Sequence, residues 1–329
     1  MLITSFSVLL PVLFVMGLGY WAGRTKRFDA DQTRGLNELV MTYALPSLMF
    51  VAVVTTTRSE MMAEACFLLA VLIAFLGLYI VVALLSTLVL HHSLGVAGLR
   101  AFLVTFPSVA FFGVPIFEGL FGKASLLSIA SADVLASVTI VPLTVVLLEI
   151  HAQQAAGSEV KQAGVLIRNG LTNSFVKPMV WAPLSGAVFV VLDIDFPKEI
   201  DKMLSLIGST TGGASLFLAG LIISSYSIKL NVDVASNIVG KMVLQPALIA
   251  SLVWLLAIPN PLGREAILIC AIPASAVAPM LAARYQVYET EASSTVVLDS
   301  LLMLVTYTTI VLLAWKIHRG WRAWRKLLV

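Results

Sequence analysis

Charge is scarce in this chain. Of 329 residues, only 12% are Asp, Glu, Lys or Arg, against about 25% in a soluble globular domain. A solvated surface of ordinary composition is therefore excluded. The formal net charge of +3 is small and its basic residues lie mostly beside apolar stretches, so nucleic acid is not indicated as a partner. Two cysteines, Cys66 and Cys270, both sit inside apolar segments and cannot build a disulfide framework or a metal site. No His/Cys/carboxylate cluster has metal-ligand spacing, and no glycine-rich phosphate loop occurs, so no cofactor is expected.

What is abundant is apolar sequence, with 59% hydrophobic residues and a mean hydropathy of +0.98. Stretches of about 20 apolar residues, each long enough to cross a hydrocarbon core of about 30 Å, recur along the whole chain. Ten are identified, at residues 2–22, 36–56, 62–90, 99–121, 124–150, 174–192, 200–225, 232–257, 264–284 and 292–317. The expected fold is an all-α polytopic membrane protein with ten transmembrane helices. Spans of this number leave about 80–130 residues for loops and tails, too few for a soluble catalytic domain. The first stretch has no basic region before it and no small-x-small cleavage site, so it is expected to be a retained span and not a signal peptide.

Internal similarity adds an architecture. An offset of 166 residues lays FPSVA (106–110) on IPASA (272–276) and Asp133 on Asp299, and an offset of 168 lays Ser47 and Leu48 on Ser215 and Leu216. The chain reads as two five-span halves, 1–150 and 174–329, joined by a polar link at 151–173 that contains QQAAGSEVKQAG. Because five is odd, the second half enters the membrane from the opposite side, which gives the inverted repeats common in secondary transporters. Orientation is nearly balanced, with 11 Lys and Arg on the side of the first loop and 10 on the other. The weight of the first loop places both termini outside and the central link in the cytoplasm. Trp315, Trp321 and Trp324 among basic residues read as an interfacial anchor.

Two spans are interrupted by proline. The fourth carries Pro107 and then Gly113-Val114-Pro115, and the ninth carries Pro273 and Pro279. Proline removes a backbone hydrogen bond and clashes with the preceding turn, and interrupted spans at matching places in two halves point to a transport site at the bilayer midplane. Packing kinks are the plain alternative. Half-helix N-termini at such breaks suit an anionic carboxylate, and Ser108 and Ser275 add hydroxyls. No Lys or Arg adjoins either break in sequence, so binding is expected to rest on backbone dipoles and hydroxyls. The candidate substrate-binding residues are Pro107, Ser108, Gly113, Pro115, Pro273, Ser275 and Pro279.

Asp133 and Asp299 fall inside the fifth and tenth spans, where a carboxylate is costly unless paired, hydrated or protonated. The helical neighbours of Asp133 at three- and four-residue spacing (Ile129, Ala130, Ala136, Ser137) are mostly small, and Thr295 and Thr306 share the face of Asp299. Cation coupling, by a carried proton or a Na⁺ site, is the expected role, with satisfaction by hydroxyls as the structural alternative. Gln245, beside Pro246, is a further ion-coupling candidate whose plain role is helix packing. Glu118 and Glu149 near span ends read as solvated, His91 and His92 as interfacial, and Gly208 with Gly212 as a close-packing pair.

FPSVAFFGVPIFEGLFG, IPASAVAPMLAARYQV and NELVMTYALPSLMF resemble the auxin efflux carrier family, whose bacterial members include malonate transporter-like permeases. The resemblance covers essentially the whole chain. It implies crossover helices at Pro107, Gly113, Pro115, Pro273 and Pro279, and an elevator-like carrier. Spans one, two, six and seven would form its scaffold and homodimer interface, and the other six its moving unit. It also implies a small carboxylate substrate and a bacterial cytoplasmic membrane. Plant carriers place Asn after the first crossover proline where this chain has Ser108, which argues against auxin-like substrates, and the two midspan aspartates favour cation coupling. The expected function is secondary transport of a small organic anion such as malonate or malate, coupled to H⁺ or Na⁺. A potential-driven exporter or uniporter is the alternative within the class. An intramembrane aspartyl protease is disfavoured, because Asp133 follows SA and Asp299 follows VL, and a channel lacks any filter-like loop.

Overall fold

The computed structural model describes residues 2–157, 163–226 and 228–325, with side chains described from residue 8 to residue 313 apart from 163, 167 and 304. Part of the central link (158–162), the side chains of the Trp-rich basic tail from 314 onwards and residues 326–329 lie outside the described residues. In chain order the helices are α1 (Leu2–Arg24), α2 (Ala30–Val54), α3 (Arg58–Val89), α4 (Leu94–Thr105), α5 (Val109–Phe121), α6 (Lys123–Ala155), α7 (Ala163–Phe175), α8 (Pro178–Val191), α9 (Lys198–Ser225), α10 (Val232–Leu255), α11 (Leu262–Cys270), α12 (Val277–Tyr285) and α13 (Glu289–Arg325). Among the described residues the β-structure is one isolated bridge, between Pro107 and Ala274.

Among the described residues, five helices, α2, α3, α6, α9 and α10, are long and apolar enough to cross a membrane, and up to seven spans result if the bent pairs α7–α8 and Glu289–Met303 with Val305–Leu313 each count as one. Their outward faces are apolar, with Leu88, Trp254, Leu255 and Val305 more than 60% exposed. A protein surrounded by water buries such side chains, whereas lipid accepts them. Helix starts are fixed by polar caps at the chain's few hydrophilic turns. Asp29 and Gln32 form a capping box at α2, Thr57 and Glu60 form one at α3, and Ser93 and Asn231 cap α4 and α10. Pro46 and Pro246 are absorbed differently, each just after a π-helical turn, Leu39–Ala44 and Gly240–Leu244. The wider turn accommodates the carbonyl that proline leaves without a donor.

α1 runs along α9, and α2 packs against α8 and α9. α4 packs against α3 and α6, while α10 and α12 pack against α13. The α1–α9 contact is backbone on backbone: a methyl group at Gly19 would overlap the Phe217 carbonyl, and one at Gly220 would overlap Met16. Small residues permit this approach, and in lipid close packing replaces the hydrophobic drive. The expected Gly208 and Gly212 pair divides. Gly208 lies tightly against Leu48, but Gly212 has only Pro115 near it, at 3.9 Å.

Candidate functional site at the helix crossover

The two proline breaks meet. Phe106, ahead of Pro107, is forced to extended backbone (φ −89°, ψ 107°), because the proline ring disfavours the helical conformation of the residue before it. α4 therefore stops, and its continuation α5 begins only after Ser108. The same happens between α11 and α12 around Pro273. The extended segments run antiparallel and exchange hydrogen bonds: the Ser108 N–H donates to the Pro273 carbonyl at 2.8 Å, and the Ser275 N–H donates to the Phe106 carbonyl at 3.2 Å. Each break thus satisfies polar groups that the other exposes, as a low-dielectric interior demands.

Pro107, Ser108, Pro273 and Ser275 are accordingly brought together. Gly113 stands where α5 approaches its neighbours, since a Cβ there would lie 3.0 Å from Ile129 and 3.4 Å from Ile272. Pro279 occupies the first turn of α12, where a missing N–H costs nothing, and Pro115 follows the π-helical turn Val109–Gly113 of α5 as Pro46 and Pro246 follow theirs. Ser215 of α9, noticed in sequence only as a repeat match, is buried and donates to the Phe111 carbonyl at 3.3 Å. Beside Ser108 and Ala274 is a cavity of about 10 Å³, closed by Ala219, Ile222 and Ile223 of α9.

The three polar candidates are not equivalent. Asp299, fully buried, accepts the Ala274 N–H at 3.2 Å, so the backbone of the crossover is its partner and not the hydroxyls of Thr295 or Thr306. Gln245, also fully buried, donates to the carbonyl of Thr105, the last residue of α4, at 2.8 Å. Asp133 lies one turn beyond Ile129 on α6, with no recorded hydrogen bond to either break, and the charge facing it is Lys177, between α7 and α8.

Two features escaped the sequence. Lys241 is 1% exposed, donates to Gln245 Oε1 at 2.7 Å and faces Asp299. A lysine distant in sequence is thus linked to the end of α4, beside the first break, through Gln245 and the Thr105 carbonyl. The sequence signal was its spacing of four from Gln245, which puts both on one helix face. The second feature is a cavity of about 620 Å³ bordered by α2, α3, α5, α6, α9 and α11, within the range of small-ligand sites. Glu60, Glu64, Glu118 and Glu265 line it with Lys123. Glu64 and Glu265 are both buried and both lie within hydrogen-bonding reach of the Ser128 hydroxyl, and Ser131 donates to Glu64 at 2.7 Å. Glu118 therefore faces this cavity, and Glu149 accepts from the Tyr285 hydroxyl at 2.7 Å. His92 lies 4.0 Å from Asp233 near the start of α10.

Residues 4–311 match the family described as Membrane transport protein. The uncharacterized transporter YfdV of Escherichia coli is 24% identical over 300 residues, covering 91% of this chain and 94% of that one. Auxin efflux carrier component 8 of Arabidopsis thaliana is 23% identical over 350 residues (91% and 94%), and a protein provisionally named a malonate transporter in Rhizobium meliloti is 20% identical over 308 residues (92% and 93%). The chain belongs to this membrane transport protein family, that of the auxin efflux carriers.

Proposed function

We propose that the protein is a secondary carrier of small organic anions, coupled to a cation, which works by alternating access around the crossover. The observation that carries this proposal is the pair of broken helices held together by Ser108–Pro273 and Ser275–Phe106 hydrogen bonds, with the buried charges Lys241 and Asp299 behind them. Interrupted helices of this kind bind substrate at the midplane of secondary transporters. The ten apolar stretches then form ten spans in two inverted halves, in the bacterial cytoplasmic membrane, with termini outside and the central link inside. α1, α2, α8 and α9 form the scaffold, also the expected dimer face, and the remaining helices carry the crossover. The 620 Å³ cavity lies between helices of both sets and serves as the vestibule.

Cation coupling follows from the carboxylates. A vestibule with four glutamates and one lysine repels an anion until some of that charge is neutralised. Ser128 has one hydroxyl proton and two carboxylate neighbours, so the second contact is satisfied only when a carboxyl carries a proton or a cation enters. The proposal is tested by uptake of labelled malonate into proteoliposomes containing the purified protein. Saturable uptake, competed by malate, supports an organic-anion carrier. Uptake no faster than in empty vesicles for malonate, malate and other small carboxylates rejects it.

A further inference from the structure

Asp299 and Lys241 are each incompletely satisfied. Asp299 Oδ2 accepts the Ala274 N–H, but Oδ1 is buried with no hydrogen-bond partner. Lys241, an ammonium with three donors, has its recorded hydrogen bond to Gln245 alone. Among the described residues the two charges form no direct ion pair, yet each faces the other, and Lys241 also faces the Cys270 thiol at the end of α11. Several other charged groups on elements packed around α13 are engaged elsewhere. Arg100 of α4 is held by Asp233 and Ser236, Glu265 of α11 by Ser128, and Arg284 of α12 lies over the Tyr285 ring. The hydroxyls nearest in sequence, Thr295 and Ser300, donate to carbonyls of their own helix. A lone bare oxygen is a site for a proton.

We propose that Lys241 is the counter-charge through which a proton on Asp299 governs anion binding at the crossover. While Asp299 is ionised, the Lys241 ammonium neutralises it and the Phe106–Ser108 and Pro273–Ser275 segments feel little net positive field. When a proton taken from water occupies Oδ1, the ammonium is left uncompensated, and its field falls on the crossover at the far end of the Gln245–Thr105 hydrogen-bonded link. That field is strong in a low-dielectric interior and supplies the positive charge that the breaks lack. Proton and carboxylate then bind with positive cooperativity, and either ligand raises affinity for the other. This inference rests on the organic-anion function proposed above, and it makes Lys241 a positioning and specificity residue without requiring it to touch substrate.

The test has a ligand-free arm and a ligand arm. In the first, melting temperatures of the purified full chain are measured for wild type, Lys241→Met, Asp299→Asn and the double variant. Each single substitution leaves one buried charge without its partner and lowers the melting temperature, and the double variant regains most of the loss. Additive losses in the double variant contradict the inference; if Lys241→Met does not fold, Lys241→Gln takes its place in the cycle. In the second arm, binding of labelled malonate is measured over a pH range in which malonate's own carboxylates stay ionised. Wild-type affinity rises at least about fivefold towards acid pH, Asp299→Asn binds tightly with no pH dependence, and Lys241→Met binds weakly throughout. An Asp299→Asn variant that still follows pH, or a Lys241→Met variant with wild-type affinity and slope, overturns the inference. If wild type binds no malonate at any pH, the substrate assignment has failed instead, and the melting cycle alone decides the role of Lys241.

Discussion

The amide of Ser108 donates to the carbonyl of Pro273 across 2.8 Å, tying two helix breaks that lie 165 positions apart in the sequence. With the reciprocal bond from Ser275 to Phe106, it turns two local defects into one joint. The ends of α4, α5, α11 and α12 meet there, and the buried groups Asp299, Gln245 and Lys241 attach to the same joint by hydrogen bonds or through Coulomb forces.

Filling the joint should stop transport without unfolding the protein. Ser108 lines a cavity of only about 10 Å³, so Ser108→Leu overpacks it, at about 1–3 kcal/mol. Malonate uptake is expected to be lost while size-exclusion behaviour stays that of wild type. Ser108→Ala, which removes the hydroxyl and adds no volume, is expected to retain the fold and weaken substrate affinity.

The scaffold contact predicts a loss of stability instead. Gly220 packs on the α1 backbone at Met16, and Gly220→Leu must push α1 and α9 apart. A destabilisation of at least about 1–3 kcal/mol follows, read as a lowered melting temperature. Gly213→Leu, at a position of the same helix where a Cβ meets nothing within 4 Å, is expected to melt close to wild type.

In the vestibule, Glu265→Gln replaces one of the two carboxylates that compete for the single Ser128 hydroxyl proton by an amide that can itself donate. The variant is expected to fold at least as well as wild type, since one of two competing buried carboxylates is gone. Its uptake should respond less to an imposed proton gradient, and a wild-type response would remove this cluster from the coupling scheme.

Asp133 and Asp299 share an offset in sequence but not a surrounding. Asp299 is bonded to the crossover backbone and Asp133 faces Lys177. Asp299→Asn should therefore abolish acceleration by a proton gradient, and Asp133→Asn should leave most of it intact. Parallel uptake assays on the two variants check this ranking.

Much of this was legible in the linear chain. Prolines in otherwise apolar stretches gave the places of the breaks, because proline's missing donor acts locally. That the breaks pair with each other was visible only as FPSVA lying on IPASA. Lys241 was not legible as a buried charge: a lone lysine ten residues into an apolar stretch reads as a flanking residue until its depth and its neighbours are known. The glycine contact that matters was also hidden. Gly208 and Gly212 have the small-xxx-small spacing, yet the tighter interface uses Gly19 and Gly220, whose match depends on the register of two helices far apart in sequence. Nothing in the linear sequence sets Glu64 and Glu265 apart from other carboxylates at the starts of apolar stretches, and they are buried because α3, α6 and α11 converge on Ser128.

The most direct test of a cation-coupled anion carrier is malonate uptake into proteoliposomes, with and without an inward proton gradient and with the membrane potential clamped, for wild type and Asp299→Asn. The account predicts acceleration by the gradient in wild type and none in the variant. Uptake by wild type that ignores the gradient, or an Asp299→Asn protein accelerated as strongly as wild type, would contradict it.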